Sequence, residues 1–187
     1  MTLAEKLEAA HEYSKAFECY KNAAAKGNIE AHLKIGILSE EGPKDFNSDE
    51  KNTSGVEQSY KNALEWYKKA LEREEDYIPA QVQIAWLYYH GRGVERDFEE
   101  SKTWFEKAAE LEDGVAQRQL GIMFREGEGV KQDHEKALAL LKEGARNGDA
   151  QSHFEVGVMC ENSFEALKWF QDSSNNGFAN ASFRLGI

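Results

Sequence analysis

Two patterns of apolar and small residues alternate along this chain. In the first, a small residue is followed four and five positions on by a large apolar residue and a second small one. The copies are Ala31-Ile35-Gly36, Ala80-Ile84-Ala85, Ala116-Leu120-Gly121, Ser152-Val156-Gly157 and Ala181-Leu185-Gly186. The second small residue recurs at 85, 121, 157 and 186, giving spacings of 36, 36 and 29; the step from Gly36 to Ala85 is 49. In the second pattern, Ala16, Ala63, Ser101, Ala137 and Ala166 precede pairs of large residues three and four positions on: Cys19-Tyr20, Trp66-Tyr67, Trp104-Phe105, Leu140-Leu141 and Trp169-Phe170. Mostly small pairs follow at seven and eight. These offsets mark one face of a helix. Each unit therefore reads as an A helix followed by a B helix, both amphipathic, and the predicted fold is all-α, built from antiparallel helix pairs.

Helix punctuation agrees. Ser59, Asp97, Asp133 and Asn162 stand four residues before the small residue of a B helix, where a side-chain oxygen can accept from the first turn; Glu12 is a weaker cap there. Asn28, Asp113 and Asp149 hold similar positions before A helices. Pro79 falls in a first turn, where its missing donor costs nothing. Gly27, Gly148 and Gly177 follow B helices and can close the last turn in a left-handed conformation.

The uneven spacings locate the connections. From Ala31 to Ala63 is 32 residues against 21 for Ala80 to Ser101, which leaves an insertion of 11. It falls within Pro43 to Ser59, whose Asp, Asn, Ser, Lys and Gly content suits a solvated loop. From Ser152 to Ala166 is only 14, so the fourth unit has lost seven residues. The expected organisation is one domain, 1–187, of about four and a half repeats. A B helix lies near 12–26, repeats near 29–74 (with the insertion at 43–59), 77–111, 113–147 and 149–176, and a partial A helix over 178–187.

Composition narrows the function classes. Against 34 acidic residues the chain has 23 Lys and Arg, a net charge of −11. That argues against nucleic-acid and anionic-membrane binding, which need a cationic surplus. Only Cys19 and Cys160 occur, too few for a disulfide framework or a Cys-rich metal site. No segment approaches the ~18 uninterrupted apolar residues of a membrane span. The first residues carry Glu5, Lys6 and Glu8 and no signal-peptide core. A cytoplasmic setting is expected, with secretion lacking a classical signal peptide the other route.

The best copies read AQVQIAWLYYHGRGVERDFEESKTWFEKAAE and AQRQLGIMFREGEGVKQDHEKALALLKEGAR. From about Tyr13 to Ile187 the chain resembles the Sel-1-like repeat family, a relative of the tetratricopeptide repeat. It keeps the A-x-x-x-L-G series, the G-x-G-V connection and the B-helix aromatic and alanine series. It departs from them in the insertion, in the shortened fourth unit and in the missing G-x-G-V of the first and fourth. The resemblance implies a right-handed α-solenoid superhelix with the A helices on its concave side. It also implies a scaffold or adaptor that binds proteins and does not act as an enzyme. A cysteine-rich branch of the family joins its helices by disulfides, and this chain lacks those cysteines.

Chemical readings of individual residues are weak beside structural ones. Gly91-Arg92-Gly93-Val94 and Gly127-Glu128-Gly129-Val130 lack the strand and the Gly-Lys-Ser/Thr of a phosphate loop, so they read as tight connections with glycines at positive φ. Trp66, Trp104 and Trp169 read as packing against the next A helix. Histidines 11, 32, 90, 134 and 153 read as falling at unrelated repeat positions without metal-site spacing. Cys19 and Cys160 read as small core fillers. No cofactor, metal site or catalytic constellation is legible.

The A helices carry the candidate binding face. Their offset-6 positions are apolar in every copy: Ile37, Trp86, Ile122, Val158 and Ile187. Together with Val82, Gln83, Tyr89, Arg118, Gln119, Arg125 and Phe154 they form the expected concave surface for a protein or peptide segment. Apolar lines rimmed by polar groups mark such grooves, with Trp, Tyr and Arg as common anchors. The competing reading buries offset 6 between neighbouring A helices. An alternative function is self-association or a structural role within a larger protein, through an uncapped C-terminal helix bearing Phe183, Leu185 and Ile187.

Overall fold

The computed structural model describes residues 2–10, 12–42, 59–160 and 162–181. The insertion up to residue 58, and the C-terminal residues Phe183, Leu185 and Ile187, lie outside the described residues. Every described element is helical, as the two patterns predict, and the chain divides into two compact units, Met1–Arg96 and Asp97–Ile187.

The first unit contains α1 (Leu3–Ala9), α2 (Tyr13–Ala25), α3 (Ile29–Glu41), α4 (Tyr60–Leu71) and α5 (Ile78–His90). The second contains α6 (Phe98–Glu110), α7 (Gly114–Glu126), α8 (His134–Arg146), α9 (Ala150–Met159) and α10 (Ser163–Asn175). Helices α3, α5, α7 and α9 are the A helices, and α2, α4, α6, α8 and α10 the B helices. Within each unit, helices adjacent in the chain pack on one another, and α7 also touches α9.

The small residues explain the close approach. In three repeats the second residue of the B-helix pair inserts against the A-helix glycine of its own repeat. A Cβ on Gly36 would lie 2.2 Å from Tyr67 Cε1, one on Gly121 2.8 Å from Leu141 Cγ, and one on Gly157 2.7 Å from Phe170 Cε1. Tyr67, Phe105 and Leu141 are fully buried. Tyr67 and Leu141 are thus core residues seated on A-helix glycines.

The caps form as expected. Asn28, Asp113 and Asp149 accept from the backbone N–H of Ala31, Ala116 and Ser152, while Ser59, Asp133 and Asn162 do the same for B helices. Asp97 accepts from Glu99 and Glu100, and Glu12 makes no side-chain cap. In both G-x-G-V connections the glycines have positive φ: 66° and 72° at Gly91 and Gly93, 78° and 65° at Gly127 and Gly129. The second glycine of each presses on the first turn of the preceding B helix, at Tyr60-Lys61 and at Phe98. Any side chain there would collide with backbone.

One element was not anticipated. Helix α1 is closed by a capping box, with Thr2 accepting from Glu5 N and Glu5 accepting from Thr2 N. It packs on α2 as the second half of an A helix would. Tyr20 donates to Glu8 Oε2 at 2.6 Å, as Tyr67 donates to Glu40 Oε1 at 2.6 Å. Ala4, four residues before Glu8, is buried in the place that Gly36 holds before Glu40.

Candidate binding face of the A helices

In the first unit the expected residues lie on α3 and α5, and Ile37, Val82, Gln83, Trp86 and Tyr89 are all half-buried. Trp86, Tyr89 and His90 stand at i, i+3 and i+4 of α5, so they share one side of the helix. Their rings form a compact trio. Trp86 stacks on His90 at 5.4 Å between centroids, and Tyr89 meets both edge-on at 5.5 and 5.0 Å. Burial, and then the positive charge of Arg92, hold the His90 imidazole below its ordinary pKa. The ring that stacks on Trp86 is therefore favoured in its neutral form.

In the second unit the corresponding positions are used differently. Arg118 Nε lies 2.9 Å from Asp149 Oδ2, with both side chains only 12% and 11% exposed. The same Asp149 oxygen accepts from the Ser152 backbone N–H and hydroxyl, each at 2.7 Å. Arg125 donates through Nη1 to Glu155 and through Nε to Glu126, both at 2.7 Å. These two arginines tie α7 to the start and body of α9, so both are engaged within the chain. Gln119 is buried and does not contribute exposed surface. Phe154 packs between Phe170 and Phe178, each 5.4 Å away, and is a packing residue. Ile122 is half-buried, and Val158 is 48% exposed.

Sequence reasoning also missed a relation between histidines. His32 and His153 stand at the same place, one residue after the first small residue of an A helix. Each ring lies 5.7 Å from a B-helix tryptophan, His32 against Trp66 and His153 against Trp169. Each Nδ1 approaches the carbonyl of the helix-capping residue, Asn28 or Asp149. Trp66 and Trp169 thus pack on the A helix of their own repeat, whereas the sequence reading had placed them on the next. Gln81 and Gln117 fill this slot in the other repeats and donate to the Glu75 and Ala109 carbonyls. Aligning the histidines on the repeat, instead of on one another, would have found them.

Among the described residues no group of three or more His, Cys, Asp or Glu side chains is placed to hold a metal ion. The Cys160 thiol is raised above its ordinary pKa by burial and then by Glu165, which disfavours the nucleophilic thiolate. None of the described helices is long and apolar enough to cross a membrane.

A model of the Sel1 repeat matches residues 10–28, 52–74, 78–113 and 114–149, more than half of the chain. No curated protein sequence matches it. Among solved structures, a Sel1 repeat protein from Oxalobacter formigenes superposes with a TM-score of 0.82 at 28% identity, over 98% of this chain and 72% of that one. The protein c5321, a protective antigen of uropathogenic Escherichia coli displaying an SLR fold, superposes with a TM-score of 0.62 at 27% identity. That match covers 92% of this chain and 44% of c5321. The immunity protein Pa5087 from Pseudomonas aeruginosa, at 23% identity and a TM-score of 0.61, shares the fold over 91% of this chain and 61% of its own.

Proposed function

The chain belongs to the Sel1 repeat family, whose members generally mediate protein–protein interaction and are generally non-catalytic, and we propose that it is a scaffold receiving a protein segment on its A helices. The observation that carries this reading is the Trp86–Tyr89–His90 trio. Three rings on one side of a single helix are a large, low-entropy contact surface, of the kind that supplies most binding energy at interfaces. Ile37, Val82 and Gln83 extend that surface in the first unit. In the second unit Ile122 and Val158 are the accessible apolar positions.

Arg118 and Arg125 act in this reading as struts that fix α9 against α7. They set the surface that Ile122 and Val158 occupy. The test is affinity capture from the source organism's lysate with the wild type and Trp86→Ala, both first checked for helical content. A partner retained by the wild type and lost by Trp86→Ala is expected. A partner retained equally by both would move binding away from this face.

A further inference from the structure

A second surface lies on the B-helix side of the second unit. It begins with one position of the B helices, the first member of each large pair. Trp66, Trp104 and Trp169 occupy it in three repeats. Where the partners are defined, the indole lies against the A-helix histidine of the same repeat. A lysine three residues on caps two of these rings: Lys69 Nζ is 4.1 Å from the centre of Trp66, and Lys107 Nζ 4.3 Å from that of Trp104. Two of these slots therefore hold an aromatic ring with a cation above it, while Asp172 stands in the lysine position after Trp169.

The repeat of α7 and α8 departs from this in both respects. Leu140 stands in the tryptophan position, and Glu143 in the lysine position. Gln117 takes the place of the histidine. What remains is a cavity of about 360 Å³ between α6 and α8, floored by Leu120 and Phe124 of α7. Its rim carries Glu106, Glu110 and Glu143. An adjoining cavity of about 540 Å³ shares Glu106, Phe124 and Lys136 and runs to the G-x-G-V connection, where Lys102 and Lys131 line it. Lys136 sits over the Phe124 ring at 4.0 Å, where the two cavities meet. Carboxylates thus predominate at the Leu140 end and ammonium groups at the loop end, where Asp133 is engaged as the cap of α8.

We propose that this groove binds a peptide segment of a partner protein that inserts an aromatic side chain beside Leu140 and sets a following Lys or Arg against Glu110 and Glu143. The occupant supplies from outside the ring and the cation that the B helices of Trp66 and Trp104 supply themselves. The volume left by Leu140 and the apolar floor select the ring. The replacement of lysine by Glu143 selects the cation, because a carboxylate there repels an acidic neighbour and attracts a basic one. The loop-end lysines set the direction, since they disfavour the basic residue at that end.

The probes are three acetylated and amidated tetrapeptides: Ala-Trp-Arg-Arg, Ala-Trp-Glu-Glu and Ala-Ala-Arg-Arg. Each is titrated into the full chain while the Leu140 methyl and Gln117 side-chain amide signals are followed by NMR. Ala-Trp-Arg-Arg should shift these signals saturably, and the other two should bind at least about tenfold more weakly, as reversed charge or a lost anchor requires. Leu140→Trp should fill the slot and abolish the response at the Gln117 amide with helical content retained. The Glu110→Lys, Glu143→Lys double variant changes only exposed positions and should weaken binding by at least about tenfold. Trp86→Ala should leave the response intact, which separates this groove from the A-helix face. Silence at Leu140 with Ala-Trp-Arg-Arg, an equal response to Ala-Trp-Glu-Glu, or unchanged binding by folded Leu140→Trp or by the double variant would overturn the proposal.

Discussion

Helices α5 and α7 begin from the same repeat pattern and put it to different use. Nine residues after the first small residue, α5 carries Tyr89 and α7 carries Arg125. Tyr89 meets the Trp86 and His90 rings of its own helix, whereas Arg125 reaches Glu155 on α9. Two residues after the small residue, α5 has Val82 and α7 has Arg118, which is paired with Asp149. Repeat register therefore fixes where a side chain stands but not what it faces. The deciding feature is the next repeat: Asp149 and Glu155 lie 31 and 30 residues beyond the arginines they hold. In α7 a cation with a carboxylate one repeat on is a strut, whereas in α5 the aromatic at the same position joins the rings of its own helix.

That contrast predicts opposite consequences for two truncations. Arg118→Ala would leave Asp149, only 11% exposed, without its counter-charge. Breaking such a pair costs about 3 kcal/mol. Part of Asp149 stays satisfied by Ser152, which keeps the loss at the lower end of the usual range. Trp86→Ala removes ring contacts from a half-buried site and should cost about 1 kcal/mol, while removing the partner. Urea unfolding of the two variants checks this. If Trp86→Ala proves the more destabilising, the face of α5 is core and the contrast between the helices fails.

The connections offer a second contrast. Gly27 in the first unit, and Gly148 and Gly177 in the second, close B helices at φ of 87°, 88° and 91°. Glu112 occupies the equivalent position after α6 at φ 64°, a conformation that a side chain disfavours. Glu112→Gly should stabilise the chain by about 1 kcal/mol. Gly148→Ala should cost a similar amount, and for a purely conformational reason, because a Cβ there would meet nothing within 4 Å. Thermal unfolding measures both. A destabilised Glu112→Gly would mean that the glutamate makes contacts worth more than its backbone strain.

The helices were legible because their signals are local and repeated. The glycines that receive Tyr67, Leu141 and Phe170 could be read from spacing alone, as could the capping Asp and Asn residues. Helix α1 escaped because it shows only half of the A pattern, Leu3-Ala4 before Glu8, and lacks the leading small residue. Of the offset-6 residues, Ile37, Trp86 and Ile122 are half-buried and Val158 is exposed. Nothing in a single repeat shows that Arg118 will find Asp149, or that Gln119 will turn inward. Those outcomes depend on the neighbouring helix, which repeat register addresses but does not identify.

The smallest expected effect concerns pH, at the same A-helix position that separates the two units. Nine residues into the pattern, α3 carries Glu40 where α7 carries Arg125. Burial raises the Glu40 carboxyl above its ordinary value, outweighing the hydrogen bond from Tyr67 and the charge of Arg92. The folded chain therefore holds this proton to higher pH than the unfolded chain does. The stability this gives is present below the unfolded value and is lost as pH rises through the folded one. Glu40→Gln retains an oxygen to accept from the Tyr67 hydroxyl and removes the half-buried charge. Its melting temperature should fall less than that of the wild type between about pH 4 and pH 7. Arginine stays protonated throughout that range, so Arg125→Gln should weaken the second unit at both ends of it without introducing the same slope. If Glu40→Gln followed the wild-type curve, the Tyr67–Glu40 pair would not sense pH, and the two units would differ at this position only in packing.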